Sequence, residues 1–470
     1  MSLALTEEMI GRLQPEAQVI VRALLEENAR LRARIEALEA RFRKTPRNSS
    51  LPPGTQHPHS KPAPQRTRSG KKRGGQPGHP KHERPLIPPE QCTDVIALKP
   101  DACRRCGAAL SGDDPEPLRH QVWELPEIKP LITEYQRHSL SCSCCGTSTT
   151  APLPEGVPAG GSGPRYVAMM GLFLSGCRQS KRRAAWLSET VFHIPCSAGL
   201  VVKLQNLVTS AVRPLYEGLC AALPAQPVVN IDESPTKEGS AKAWLWTFVT
   251  PRFTVFAQRT SREARVLDEL LTDQFDGVIG CDRAKMYWRF DPLQWCWAHL
   301  RRDFQAMVDS GHRGAKQVGT GLLEQSHLLF RQWHRFTDGL ITRSGLKQTL
   351  GAVRRKVEDL LHKGLRGTHA KTAGTCMELL QHRQWLWTFL DHAGVEPTNN
   401  ASERALRPGV IWRKLSFGTQ SAAGSRFVET MLSVIETCRQ QSRALLTLLT
   451  SAVDRFFHGT RPTALLFDTA

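Results

Sequence analysis

Two short apolar runs that each close on an aspartate constrain this chain more than any other feature: Pro227-Val-Val-Asn-Ile-Asp232 and Gly277-Val-Ile-Gly-Cys-Asp282. Between them, residues 241–249 place Trp244, Trp246 and Phe248 at every second position, residues 253–258 form another β-rich run, and residues 261–274 carry helical periodicity. The order is three strands, a helix and a strand. A crossover through that helix returns the last strand parallel to the first, so the two lie side by side at the sheet centre and their aspartates meet at corresponding strand ends. Two carboxylates buried together repel unless a cation joins them, which makes the pair a hard oxygen site suited to Mg(II) or Mn(II).

This is the element order of a ribonuclease-H-like core, which needs a third carboxylate from a later helix. Glu403, just after Pro397-Thr-Asn-Asn400, is the candidate. As the third helical position after Asn400 it fits equally a capping box that serves only the helix start. Some 120 residues separate Asp282 from Glu403, where a compact sheet would need a few tens, so residues 301–395 are expected to form a helical insertion. Glu233 would point to the strand face opposite Asp232 and stays outside the site. His299, in Trp295-Cys-Trp-Ala-His-Leu-Arg-Arg-Asp-Phe304, either steadies a phosphate or water or is a structural histidine. Trp288, Trp295 and Trp297 suit the core better than a flipped base. Arg404, Arg407, Arg413 and Lys414 form a basic run that either holds the scissile strand or is a solvated helix face.

The chain carries 63 Lys and Arg against 44 Asp and Glu, a net charge of +19, which favours a polyanionic partner, DNA first among them. Its N-terminal modules agree. In residues 1–45, Val21, Leu24, Leu31, Ile35, Leu38 and Phe42 fall in steps of three and four with Asn28 interrupting the seam. That pattern suits a zipper joining two or more copies, the alternative being a helix packed on its own chain. Residues 46–90 lose the apolar pattern and carry Lys71, Lys72 and Arg73, a basic linker able to lie along phosphates. In residues 91–155, Cys103-Arg-Arg-Cys106-Gly and Cys142-Ser-Cys-Cys145-Gly match as two knuckles of one structural Zn(II) site, with Cys144 able to replace a ligand; a redox pair would have no need of such a twin. Residues 160–222 hold two helical patterns around a turn, with Ser197 placed to cap the second and Lys181, Arg182 and Arg183 at the start of the first, a helix-turn-helix-like spacing. No apolar run reaches membrane-spanning length, no secretory leader opens the chain, and thirteen scattered cysteines point to a reducing cytoplasm rather than a disulfide framework.

Taken in order, these residues resemble the DDE transposases of insertion-sequence family sixty-six. Ile231-Asp-Glu-Ser234 stands at the first acid, Cys281-Asp-Arg-Ala-Lys-Met-Tyr-Trp288 at the second and Asn399-Asn-Ala-Ser-Glu-Arg-Ala-Leu-Arg-Pro408 at the third. The final block through Glu429, Thr430, Ser433, Glu436, Thr437 and Cys438 is the most specific part. The zipper, the linker ending in Gly-Gly-Gln-Pro-Gly-His and the double knuckle occur in the family's order, so the likeness covers nearly the whole chain. Ser234 stands where family members often have Thr, which keeps the hydroxyl.

The resemblance implies that Asp232, Asp282 and Glu403 bind two Mg(II) or Mn(II) ions per active site. It further implies terminal inverted repeats and target DNA as substrates, small accessory proteins as partners, and work at the bacterial nucleoid with no membrane partner. The expected architecture is a multidomain α/β chain. A ribonuclease-H-like core at 226–300 and 396–445 is split by the insertion, preceded by coiled coil, zinc ribbon and helical DNA-binding region, and followed by a C-terminal helix and tail at 446–470. A zinc-containing DNA-binding regulator without catalysis, and a nuclease of the same fold that does not join strands, are the competing readings.

Overall fold

The structure is a computed structural model that describes residues 10–42, 48 and 84–462. Lys71, Lys72, Arg73 and most of the basic linker lie outside the described residues. The chain divides into two compact units, Pro58–Pro130 on one hand and Met1–His57 with Leu131–Ala470 on the other. Among its described residues, 84–130, the unit Pro58–Pro130 is poor in regular structure. It is held locally by a paired exchange between the Gln121 amide and the Ile87 backbone, at 3.0 and 2.8 Å, and by Arg84 lying 4.9 Å over the Trp123 ring.

The larger unit is mixed α/β. Helix α1 (Pro15–Phe42) exposes Leu24, Leu31 and Ile35 along the zipper positions; the side chains of Leu38 and Phe42 fall outside the described residues. A small hairpin, β1 (Ser139–Ser141) and β2 (Ser148–Thr150), flanks the second cysteine knuckle. Helices α2 (Pro164–Leu174), α3 (Lys181–Phe192) and α4 (Ala198–Ala221) follow. Ser180 and Ser197 cap the last two by accepting from the Arg183 and Leu200 amides, and Lys181, Arg182 and Arg183 are exposed.

The central sheet has the order β5-β4-β3-β6-β7. Strands β3 (Val228–Glu238), β4 (Ala241–Val249) and β5 (Thr254–Arg259) form an antiparallel meander. Helix α5 (Arg265–Leu271) crosses to β6 (Val278–Cys281), which lies parallel to β3, and β7 (Leu293–Trp295) extends the sheet parallel to β6. Residues 261–274 thus form a shorter helix than their periodicity suggests. The adjacency of β3 and β6 is as the element order requires, but Asp232 does not end its strand. β3 parts from β6 after Asn230↔Gly280 and runs on to Glu238, because β4 supplies hydrogen-bond partners along that whole length.

Helices α6 (Trp297–Val308), α7 (Arg313–Thr337), α8 (Arg343–Leu365), α9 (Ala370–Gln381) and the short α10 (Thr388–Asp391) fill the stretch between the last strand and Glu403. Then α11 (Asn400–Ser416) lies on β3 and β4, α12 (Ala422–Gln440) covers β5, and α13 (Leu445–Phe457) packs on α2 and α4. The cover on β5 is unusual in kind. An edge strand leaves alternate N–H groups unpaired, and α12 meets them with side chains one turn apart. Thr437 Oγ1 accepts from Thr254 N, Ser433 Oγ from Phe256 N and Glu429 Oε2 from Gln258 N, at 3.1, 2.8 and 3.1 Å. A helix thus takes the place of a further strand.

Candidate active site

The register places the first two acids. Each lies two residues beyond the last β3–β6 pair: Asp232 where β3 turns its pairing over to β4, and Asp282 one residue past the end of β6. Asp232 Oδ1 accepts from Glu233 N at 2.9 Å and Asp282 Oδ1 from Ala284 N at 2.8 Å, so each carboxylate is steadied by its own backbone. Burial drives the Asp232 carboxyl well above the usual carboxylate range; the charges of Glu233 and Asp282 add to this, and that of Glu403 contributes less. The three predicted acids and Glu233 therefore share one electrostatic environment.

Glu403 reaches it from α11. Asn399, not Asn400, precedes the helix, which makes Glu403 the fourth helical residue rather than the third a capping box requires. The Asn399 amide does not cap. Its Nδ2 donates at 2.6 Å to the carbonyl of Ile231, the residue before Asp232, while its backbone N–H points at Cys296 Sγ, 3.1 Å away. This ties the start of the helix to the strand that carries the first acid. Glu403 Oε1 is buried without a hydrogen-bond partner, with His299 Nε2 at 3.7 Å and Arg302 at 3.9 Å. His299 is likewise not a satisfied structural residue: its buried Nδ1 has no partner, and burial, then the nearby Arg302, holds its pKa below the ordinary value.

Among the described residues, no group of three or more His, Cys, Asp or Glu side chains closes into a ready-made metal cage. The carboxylate cluster nevertheless has the chemistry a divalent cation would answer: hard oxygens, partly desolvated, mutually repelling, one of them orphaned. The cysteine knuckles are built alike. Cys103 N donates to Ala108 O and Cys142 N to Thr147 O, Gly107 and Gly146 each donate back to the first cysteine's carbonyl, and both glycines take a φ near +70°. Such a turn needs glycine. The Cys103 thiol is pulled below its ordinary pKa by the Arg105 and Cys106 amides, and that of Cys145 by the Thr147 hydroxyl, which favours the thiolate a metal takes.

Residues 180–426 match the family described as Transposase IS66 family, a span that includes all three acids and covers more than half of the 470 residues. The chain belongs to the IS66 transposase family. Residues 6–85 match a second family, described as one of unknown function. Two proteins of Sinorhizobium fredii, both named as uncharacterized, are similar to this IS66-family chain. The first, y4qI, is 26% identical over 255 residues, which is 48% of this chain and 46% of its own length. The second, y4hP, is 22% identical over 386 residues, 73% and 68% of the two lengths. This chain therefore spans about half the length of y4qI.

Around the acids of this IS66-family chain stand residues that the sequence left outside the site or did not single out. Glu233, set aside on facing, is almost fully buried (2% exposed). It accepts from the Tyr287 hydroxyl at 2.6 Å and pairs with Arg262 at 2.7 Å, and its pKa is raised first by burial and then by Asp282. Arg283 follows Asp282 and bonds Asp303 on α6 at 2.9 Å and Glu378 on α9, tying the loop of the second acid to the helical segment. Of the basic run, Arg404, Arg407 and Lys414 are exposed. Arg413 is half-buried, and burial lowers its pKa. Trp295 and Trp297 are wholly buried, and Trp288 packs 4.7 Å from His382, so these rings are core. Among the described residues, no helix is long and apolar enough to cross a membrane.

Proposed function

We propose that this IS66-family protein cuts and joins DNA by metal-dependent phosphoryl transfer of the DDE type, with Asp232, Asp282 and Glu403 as the ligands of Mg(II) or Mn(II). The observation that carries the reading is the cluster of acids at the β3–β6 junction, where burial raises the Asp232 carboxyl and Glu403 Oε1 lacks a hydrogen-bond partner. The strand order, with β6 and β7 parallel to β3, supports a ribonuclease-H-like core. When bound, two such ions supply Lewis-acid charge to the attacking and leaving oxygens of an in-line displacement at phosphorus. The protein's own part is positional. Asn399 fixes the start of α11 over β3, Arg283 fixes the Asp282 loop, and His299 and Arg302 face Glu403 from α6. Arg404, Arg407 and Lys414, with Arg413 beside them, hold the backbone of the scissile strand.

The N-terminal modules serve this chemistry by finding the element's ends. We assign the paired helices α3 and α4 and the basic linker with Lys71, Lys72 and Arg73 to DNA, helix α1 to self-association, and the thiols of Cys103, Cys106, Cys142 and Cys145 to one structural zinc.

The deciding experiment is transposition in cells of a marker flanked by the element's own ends, with its neighbouring accessory genes supplied. Wild type is expected to move the marker and Asp282→Ala to leave it in place. Movement with both would sink the triad, and cut but unjoined ends would leave a nuclease. For the knuckles, metal analysis of the purified protein should find about one zinc per chain, lost in the Cys103→Ser, Cys106→Ser double variant. Stoichiometric zinc in that variant would refute the assignment.

A further inference from the structure

Helix α11 exposes Arg404, Arg407, Ile411 and Lys414 at steps of three and four, a single solvent face that begins beside Glu403. The face ends in two exposed apolar side chains, Leu415 at 64% and Phe417 at 81% exposure. Phe417 is the residue after the helix and takes φ 59°, ψ 24°, the left-handed conformation for which glycine is the default and a bulky residue is strained. Its mount is rigid. Thr419 N donates to Lys237 O at 3.0 Å and Gly239 N to Thr419 O at 2.8 Å, pinning the turn to the β3–β4 hairpin. Gly418 lies so close that a Cβ there would stand 2.6 Å from Lys237 O. Exposed Lys237 and Lys242 face each other across the hairpin to which the turn is pinned, exposed Lys414 stands three residues before Phe417, and Glu238 is engaged by the Ser425 hydroxyl. An aromatic ring held out in a costly conformation contributes nothing to the core, so folding does not account for it.

We propose that Phe417, at the end of this basic track, is a stacking platform for one unpaired nucleobase of the DNA substrate. The inference rests on the proposed DNA cleavage. Lysines and arginines match a phosphate backbone, and a free π-face matches a base, which a paired duplex would not present. Fourteen residues of helix at 1.5 Å each put the ring about 21 Å from Glu403, or about six nucleotides of a stacked strand from the reacting phosphate.

The test measures binding of full-length protein to a duplex of the element's end, and to the same duplex carrying one unpaired 2-aminopurine four to eight nucleotides from the cut. Wild type is expected to prefer the second by about tenfold and to quench its fluorescence. Phe417→Ala should bind the paired duplex as wild type does and lose both preference and quenching, and Phe417→Trp should keep both. Phe417→Gly should lose quenching while melting at or above the wild-type temperature, which separates loss of the ring from loss of the fold. Wild type that binds the duplex without preference, or Phe417→Ala that retains it, overturns the inference alone. Wild type that binds neither DNA overturns the proposed function with it. A lower assembly mass for Phe417→Ala, with base preference intact, would make the ring a protein contact instead.

Discussion

On the proposed metal-dependent reading, Asp232→Asn is expected to lower DNA strand cleavage by on the order of 10³-fold or more, since several kcal/mol of transition-state stabilisation would depend on a filled metal site. The same substitution should make the metal-free protein more stable. The Asp232 carboxyl is raised by burial and by the charges of Glu233 and Asp282, so the folded state holds its proton more tightly than the unfolded chain does. The stability from that proton is fully present below the unfolded value of about 3.9 and is lost as pH rises through the folded value. In chelator, wild type should therefore melt at progressively lower temperature as pH rises above about 4, and the asparagine variant should be less affected and melt higher at pH 8. Each kcal/mol relieved corresponds to roughly 2–4 °C for a domain of this size class. Adding Mg(II) or Mn(II) should restore the wild-type melting temperature and leave the variant where it was. Melting curves from pH 5 to 8, with and without cation, check all three statements. A variant that melts below wild type at pH 8 in chelator would mean that Asp232 serves the fold rather than a metal.

The two aspartates were legible because their signal is local: an apolar run closing on an acid, repeated across a strand–helix–strand order. What the run could not say is that β3 continues past Asp232, since that depends on β4 folding back to pair with it as far as Glu238↔Ala241. Glu403 illustrates the opposite limit. Its spacing from Asn400 suits a capping box, and the choice turns on a contact 168 residues apart, the Asn399 amide reaching the Ile231 carbonyl. Arg283 and Tyr287 were illegible for the same reason, because nothing near them in sequence names Glu378, Asp303 or Glu233 as their partners. His299 reads in the sequence as either structural or functional, and in the fold its buried Nδ1 meets no protein hydrogen-bond partner.

Glu429 lies in the stretch from Phe427 to Cys438, just past the family-matched residues 180–426, and joins three elements of the fold. This residue is 3% exposed, yet its two oxygens hold Arg213 of α4 and Arg259 of β5, both at 2.8 Å, and one also accepts from Gln258 N. Burial works against the Arg213 charge, and the bond to Glu429, the charges of Glu429 and Tyr216 and the bond to Glu217 together outweigh it. Glu429→Ala would leave Arg213 with Glu217 and Arg259 with Glu269 as their remaining carboxylate partners, and an edge N–H of β5 without its acceptor. Removing one partner of a buried ion pair costs about 3–5 kcal/mol, so a fall of roughly 10 °C in melting temperature is expected. Ser433→Ala deletes the acceptor of Phe256 N and the hydroxyl's own bond to the Glu429 carbonyl, and should cost about 1–2 kcal/mol. Thermal melts of the two variants in one buffer decide the matter. Equal small losses would show that α12 is held on the sheet by its apolar face alone, with the polar row along β5 contributing little.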